Sequence, residues 1–375
     1  MLGEVLRVRL LILETIQVLG ETRLTATVGV VMRIAVTGAN GFVGSHVVGA
    51  LLAEGHTVRA VVRDASDSAK TRHLVSLPGA GSSLTIAHGD LLVDGSYDEA
   101  FRGVQVVVHA AAVIDVLDSA NAAEKILKPS LQGSRNVLKS IQRSGSVRRL
   151  VYISSVAAVQ SPYGLEESHV FGEADWNSWS TLERDAYGFA KTSAERWLTD
   201  ELEKDASCDL ISLCPAIVLG PCLAKAHTKS SCALVRECIY HNPMNSYFGS
   251  FVDVRDLAAA TVASLTSDRS RGARFIVVSD EPPMLTTQLA TLAAAELPQY
   301  SFVGTPKHSE WLVWLLARVG MATPFQEAMV VKRFIFSNSQ LKEILGVRPR
   351  PLAETVKDTA TSMIDHGWVK PKLSR

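Results

Sequence analysis

Between residues 33 and 153 the apolar positions switch repeatedly between two periods. Arg33-Ile34-Ala35-Val36 is a short run without polar alternation, the pattern of a strand buried on both faces. From Phe42 the spacing becomes helical and continues through Val47–Leu52, with Gly55 as the stop signal. Strand patterns recur at His56–Val62, Leu84–Ala87, Val104–His109 and Arg148–Ile153. A long helix is predicted over Asn121–Ser144, with Ile126, Leu131, Val137, Leu138 and Ile141 on its apolar face. This alternation predicts right-handed crossovers and a doubly wound parallel α/β sheet covered by helices on both faces. Further strands are predicted at Asp209–Cys214 and Phe275–Val278.

Composition narrows the class. At 375 residues, 47% hydrophobic and 20% charged, the chain can bury a large core in one large domain or two intimate ones. Lys and Arg total 38, as do Asp and Glu, and zero net charge gives no basis for nucleic acid or an anionic membrane as partner. The five cysteines lie between 208 and 238 with neither C-x-x-C pairs nor zinc-ligand spacing. They read as free thiols in a reducing compartment, with no metal site, and the expected location is cytoplasmic. Leu6–Leu19 is interrupted by Arg7, Arg9, Glu14 and Gln17, short of the about 20 apolar residues a membrane span needs. Acids at Glu4, Glu14 and Glu21 do not suit a transit peptide, and Met32 directly precedes the first strand. Residues 1–31 therefore read as an extension outside the fold, with an upstream start or organelle targeting as the ways to account for it.

The candidate chemistry begins between the first strand and helix, where Gly38, Gly41 and Gly44 form G-x-x-G-x-x-G. Gly38 permits the tight turn, Gly41 lets the backbone approach a pyrophosphate, and Gly44 lets the helix pack closely on the sheet. The free N–H groups of the first helical turn would face the phosphates. At the lip of the second strand stands Arg63, with Lys70 on the following segment; both suit the 2′-phosphate of NADP(H). Asp64 would instead hold the ribose hydroxyls of NAD(H). Asp90 follows the third strand and suits either the adenine amino group or a helix cap. Ala110, Ala111 and Ala112 leave room for a flat ligand after the fourth. The fifth strand ends in Ser154-Ser155, and Tyr187 and Lys191 are four residues apart on one helical face. A lysine ammonium there is expected to lower the phenol's pKa, so that Tyr187 exchanges a proton with a substrate oxygen that a serine hydroxyl polarises.

TGANGFVGSHVV, the Arg63 strand edge, LVYISSVAAV and YGFAK together resemble the extended short-chain dehydrogenase/reductase family. Within it the chain is similar to the dihydroflavonol reductase, cinnamoyl-CoA reductase and NADPH aldehyde/ketone reductase group, from about Met32 to about Trp368. Lys128-Pro129 before LQGSRNVL and the Trp-containing approach to Tyr187 carry the likeness to this subgroup. The resemblance implies a Rossmann-type NADP domain over 32–220 and a smaller, mainly substrate-binding lobe over 221–375, with 250–280 returning to the core. It implies Ser155, Tyr187 and Lys191 as the catalytic set, with Tyr187 and Lys191 also contacting the cofactor and Lys191 able to hydrogen-bond the nicotinamide ribose. It places Gly38, Gly41, Phe42, Val43 and Gly44 at the pyrophosphate, Asp90-Leu91 beside adenine, and Ala110–Ala112 along the cleft. Pro215, Ala216, Ile217 and Val218 would form a loop over the nicotinamide. FVDVRDL, residues 251–257, resembles the family's return to the core, with Asp256 read as a helix cap or positioning residue. Gln160 replaces an asparagine that flavonoid reductases often use for the substrate's phenol ring, and DAYGFAK differs from the cinnamoyl-CoA reductase motif. The implied activity is NADPH-dependent reduction of a small-molecule aldehyde or ketone by a monomer or homodimer. The alternatives are a 3β-hydroxysteroid dehydrogenase-like enzyme, a sugar-nucleotide epimerase or dehydratase, and a non-catalytic NADP(H) sensor. Trp311, Leu312, Trp314, Leu315 and Leu316 are expected on one apolar helical face, read as core.

Overall fold

The computed structural model describes residues 31–112, 121–163, 166, 168–205, 207–242, 246–304, 318 and 324–374. The expectations for residues 1–30 and for the Trp311–Leu316 face lie outside them. The strand patterns become a seven-stranded sheet: β1 (Arg33–Thr37), β2 (Thr57–Val62), β3 (Leu84–His88), β4 (Val106–His109), β5 (Arg149–Ile153), β6 (Asp209–Pro215) and β7 (Arg274–Val277). Its order is β7-β6-β5-β4-β1-β2-β3, with every pair parallel. The order reverses between β1 and β4, and that switch point opens a crevice at the strands' C-terminal ends. Alternation along β1 divides the core, because Ile34 and Val36 face one side of the sheet and Ala35 the other.

On the first side α1 (Phe42–Ala53) packs against α6 (Val254–Thr266). α2 (Ser68–Val75) follows β2. On the second side lie α3 (Lys128–Ser144) and α4 (Ala186–Glu203). The helix predicted from Asn121 is not uniform. A π-helical segment, Ala123–Leu127, precedes α3, and Pro129 stands in the first turn of α3. Proline has no N–H for a helical ladder, so a wider turn is tolerated just before it.

Buried charge ties the strands together. Arg149, 7% exposed, grips both oxygens of Asp209 at 2.8 and 2.9 Å, and donates to the carbonyls of Ser264 and Leu265 at 2.7 Å each. The guanidinium thus joins β5 to β6 and neutralises the carbonyl end of α6. Residues after 220 build a helical cluster of α5 (Ala233–Tyr240), α7 (Leu289–Glu296) and α8 (Leu352–Asp365), whose apolar faces merge with the core beneath α1. Between them the chain returns to the sheet as α6 and β7. Asp253, rather than Asp256, caps α6, accepting from the Arg255 N–H at 2.8 Å. Asp256 lies inside the first turn and pairs with Arg350, whose N–H reaches it at 2.7 Å. All five cysteines are buried and free, and among the described residues no helix is long and apolar enough to cross a membrane.

Candidate active site

The glycine turn lies at the switch point. Gly38 has φ +65°, and a Cβ there would sit 2.7 Å from the Ala111 Cα, so the ends of β1 and β4 approach too closely for any side chain. The role expected of Gly44 is corrected. Its Cβ would strike the Gly38 carbonyl and lie 2.9 Å from the Ala39 Cα, so it packs on the turn itself rather than on the sheet. α1 then begins at Phe42 without a side-chain cap and without an acid in its first turn. Those uncapped N–H groups, next to Gly41 and Gly44, fit a dinucleotide's phosphates. His227 braces the turn from the lobe: its Nδ1 accepts from the Leu223 N–H, leaving Nε2–H to donate to the Asn40 carbonyl at 3.2 Å. Burial pulls His227 down to about 4, so it stays neutral.

Arg63 is exposed at the end of β2. Lys70 is engaged by Asp64 at 3.3 Å and Asp67 at 2.9 Å, and Asp64 also accepts from the Ser66 hydroxyl at 2.9 Å. Asp90 accepts from the Leu92 N–H at 2.9 Å, a local turn contact. A cleft is lined by Leu91, Ala111, Ala112 and Lys191, together with His109, Pro129, Ser130, Ser134 and Tyr152. Asn136 was missed from sequence. Fully buried, it donates to the Leu91 carbonyl at 2.7 Å and holds that wall in place. Its one signal is a polar residue beside the apolar stripe of α3. His109 is packed in the core, 2% exposed, and bonds the Thr37 hydroxyl at 2.8 Å. Burial and then the nearby Lys191 charge lower it to about 3. Pro215 ends β6, and Ile217–Leu219 is a short strand paired in parallel with Phe251–Asp253. The segment expected as a loop is therefore extended and mostly buried, as its β-branched residues favour.

Three side chains meet at the end of β5. In extended backbone successive side chains point opposite ways, which separates the two serines. Ser154 turns into the core and donates to Glu195 at 2.5 Å, whereas Ser155 caps the turn at Val156–Ala158, accepting from the Ala157 N–H at 3.1 Å, and lies beside Tyr187. Lys191 is 7% exposed; its ammonium donates to the Ile153 carbonyl at 3.0 Å and lies 5.4 Å from the Tyr152 ring centre. The expected depression of the phenol does not occur. Burial raises the Tyr187 pKa, the Ser155 hydrogen bond only partly opposes it, and Asp185 adds to the rise. Lys191 is itself lowered to about 8, because burial outweighs the field of Glu195. The phenol is thus held protonated.

Asp185 caps α4, accepting from the Gly188 N–H at 3.0 Å and the Ser180 hydroxyl at 2.7 Å. Asn177 links Ser180, at 2.7 Å, to the Ala157 carbonyl, at 2.8 Å, so one network fixes the Ser155 turn and the start of the Tyr187 helix. Asp185→Ala is expected to cost about 1–2 kcal/mol as a lost cap. A lowered thermal midpoint checks this, and an unchanged one would show that the cap is dispensable.

A parallel sheet with a glycine turn at its switch point is the architecture of dinucleotide-binding proteins. The sequence matches the NAD dependent epimerase/dehydratase family over residues 34–278, and the chain belongs to that family. It is an NAD(P)-dependent oxidoreductase of the reductase type, like its curated relatives. Dihydroflavonol 4-reductase of Arabidopsis thaliana is 31% identical over 282 residues, covering 72% of this chain and 71% of that one. Tetraketide alpha-pyrone reductase 2 of the same plant is 30% identical, covering 71% of this chain and 83% of that one. In fold, the chain is similar to yeast methylglyoxal/isovaleraldehyde reductase Gre2 complexed with NADPH, with a TM-score of 0.74, 24% identity, and coverage of 90% of this chain and 100% of that one.

Proposed function

We propose that the chain is an NADP(H)-dependent carbonyl reductase that interconverts an aldehyde or ketone with its alcohol through Ser155, Tyr187 and Lys191. One observation carries the reading: Ser155 lies beside Tyr187, with buried Lys191 one helical turn on, at the edge where ligands enter such sheets. Bound nicotinamide would supply or accept the hydride. With substrate present both hydroxyls turn to the carbonyl oxygen. Ser155 donates to that oxygen and polarises the carbonyl. Tyr187, kept protonated by burial, passes its proton to the same oxygen. The Lys191 ammonium and the Ser155 hydroxyl offset the negative charge left on the phenol. Oxidation of an alcohol runs these proton steps in reverse. The lobe over 221–375, apart from the 250–280 return, would choose the substrate.

NADP(H) is favoured over NAD(H) because Asp64 is already engaged by Ser66 and Lys70, while Arg63 stands exposed at the strand lip. Lys70, held by two carboxylates, would have to leave them to reach a phosphate. The solved relative Gre2 carries NADPH. A screen of aldehydes, α-diketones, flavonoids and steroids, followed by loss of NADPH absorbance, is expected to find a substrate that consumes the cofactor. An epimerase or a sensor would show no net consumption across the panel. Arg63→Ala should weaken NADPH binding roughly 10- to 100-fold, the loss of a charge-assisted phosphate contact, and leave NADH unchanged. Equal loss for both nucleotides would remove Arg63 from the 2′-phosphate.

A further inference from the structure

The Glu195 carboxylate is wholly buried, one helical turn after Lys191 and outside the three residues assigned to the chemistry. One oxygen accepts from the Ser154 hydroxyl at 2.5 Å, the other from Arg274 Nε at 2.7 Å, and the Cys214 thiol lies 3.8 Å away. Arg274, on edge strand β7, also donates to the Glu173 and Asp175 carbonyls at 2.7 Å each, and its guanidinium carbon lies 3.7 Å from the centre of the Trp176 ring. Glu173 in turn accepts from the Ile276 N–H of β7 at 3.2 Å. One carboxylate therefore joins the strand end before Ser155, the helix bearing Tyr187 and Lys191, and, through Arg274, the loop leading into that helix. Such a buried pair adds little net stability over apolar side chains of the same volume, so stability alone does not account for it.

We propose that Glu195 is a positioning residue for the reaction: it fixes the Ser154–Ser155 strand end against the Tyr187–Lys191 helix and sets the field in which the Lys191 ammonium sits. The proposal rests on Tyr187 being the proton donor. The groups facing Lys191 are Glu195 on its own helix, Cys214 on β6, Tyr152 and the Ile153 carbonyl on β5, and His109 across the cleft on β4. Glu195 is the main one that opposes the effect of burial and keeps the amine charged. Without that charge Lys191 deprotonates at lower pH, and the phenol then gives up its proton with no cation beside it.

The test compares kcat/KM against pH, with NADPH and the best carbonyl from the screen, for the wild type, Glu195→Gln, Glu195→Asp and the double variant Glu195→Gln/Arg274→Gln. Gln keeps the volume and can still accept from Ser154, but carries no charge. The alkaline limb is expected to move toward acid by about one pH unit or more, a roughly tenfold loss on that limb. NADPH affinity by fluorescence titration should stay within about threefold, since Glu195 lies away from the glycine turn. Asp, which keeps the charge on a shorter stem, should restore part of the shift. The double variant leaves no guanidinium unpaired, so it keeps the question answerable if the single variant does not fold, and the same shift is expected. A folded variant, single or double, whose alkaline limb coincides with that of the wild type overturns the proposal. Tyr187→Phe run alongside separates the two readings: retained turnover there removes the proton donor, whereas its loss with unmoved Glu195 profiles removes only the role of Glu195.

Discussion

Tyr187→Phe is expected to lower kcat by roughly 100- to 10,000-fold, the range a positioned general acid contributes. NADPH affinity should change little, because the ring stays and only the hydroxyl is removed. The effect is large because no other described group is placed to replace it. The Ser155 hydroxyl lies beside the phenol but sits on the other element, and Lys191 is committed to the Ile153 carbonyl. His109 is neutral, buried and bonded to Thr37. Single-turnover rates and fluorescence titration of NADPH read the two quantities separately. A variant that turns over near the wild-type rate would end the proposal that Tyr187 moves the proton.

The second large effect is expected from Gly44→Ala. The added carbon would meet only backbone: the Gly38 carbonyl, and the Ala39 Cα at 2.9 Å. Overpacking of this kind costs about 1–3 kcal/mol, and here the distortion falls on the turn that must hold the phosphates. NADPH affinity should fall roughly 10- to 100-fold, together with a lower melting midpoint. Alanine at a nearby open position of α1 would show neither. Wild-type affinity in Gly44→Ala would mean that the turn does not bear on the cofactor.

The parts of the molecule readable from sequence are those whose signal is local. Gly38 to Gly44, the strand runs and the four-residue step from Tyr187 to Lys191 each express their geometry within one turn or strand. The strands of the parallel sheet fall on those runs. What stayed hidden depends on partners distant in sequence. Glu195 meets Arg274 across 79 positions, and Asn136 meets Leu91 across 45, so neither contact leaves a mark on its neighbours. Asp253 and Asp256 both look like caps, and only the fold decides, by bringing Arg350 to the second. The phenol's pKa was misjudged for a related reason. Helical spacing announced the lysine, but burial, set by the whole core, outweighs what the lysine could do.

The last strand of the sheet is made from residues 274–277, after the chain has laid down only the first helix of the helical lobe. Synthesis therefore reaches residue 220 with the outer edge of β6 unpaired and the Glu195 carboxylate without its guanidinium. The sheet cannot close its edge ahead of the residues that follow 220. Evolution could not swap those residues as an independent cassette without also supplying a new edge strand and a new arginine, which holds the two parts of the chain to one inheritance.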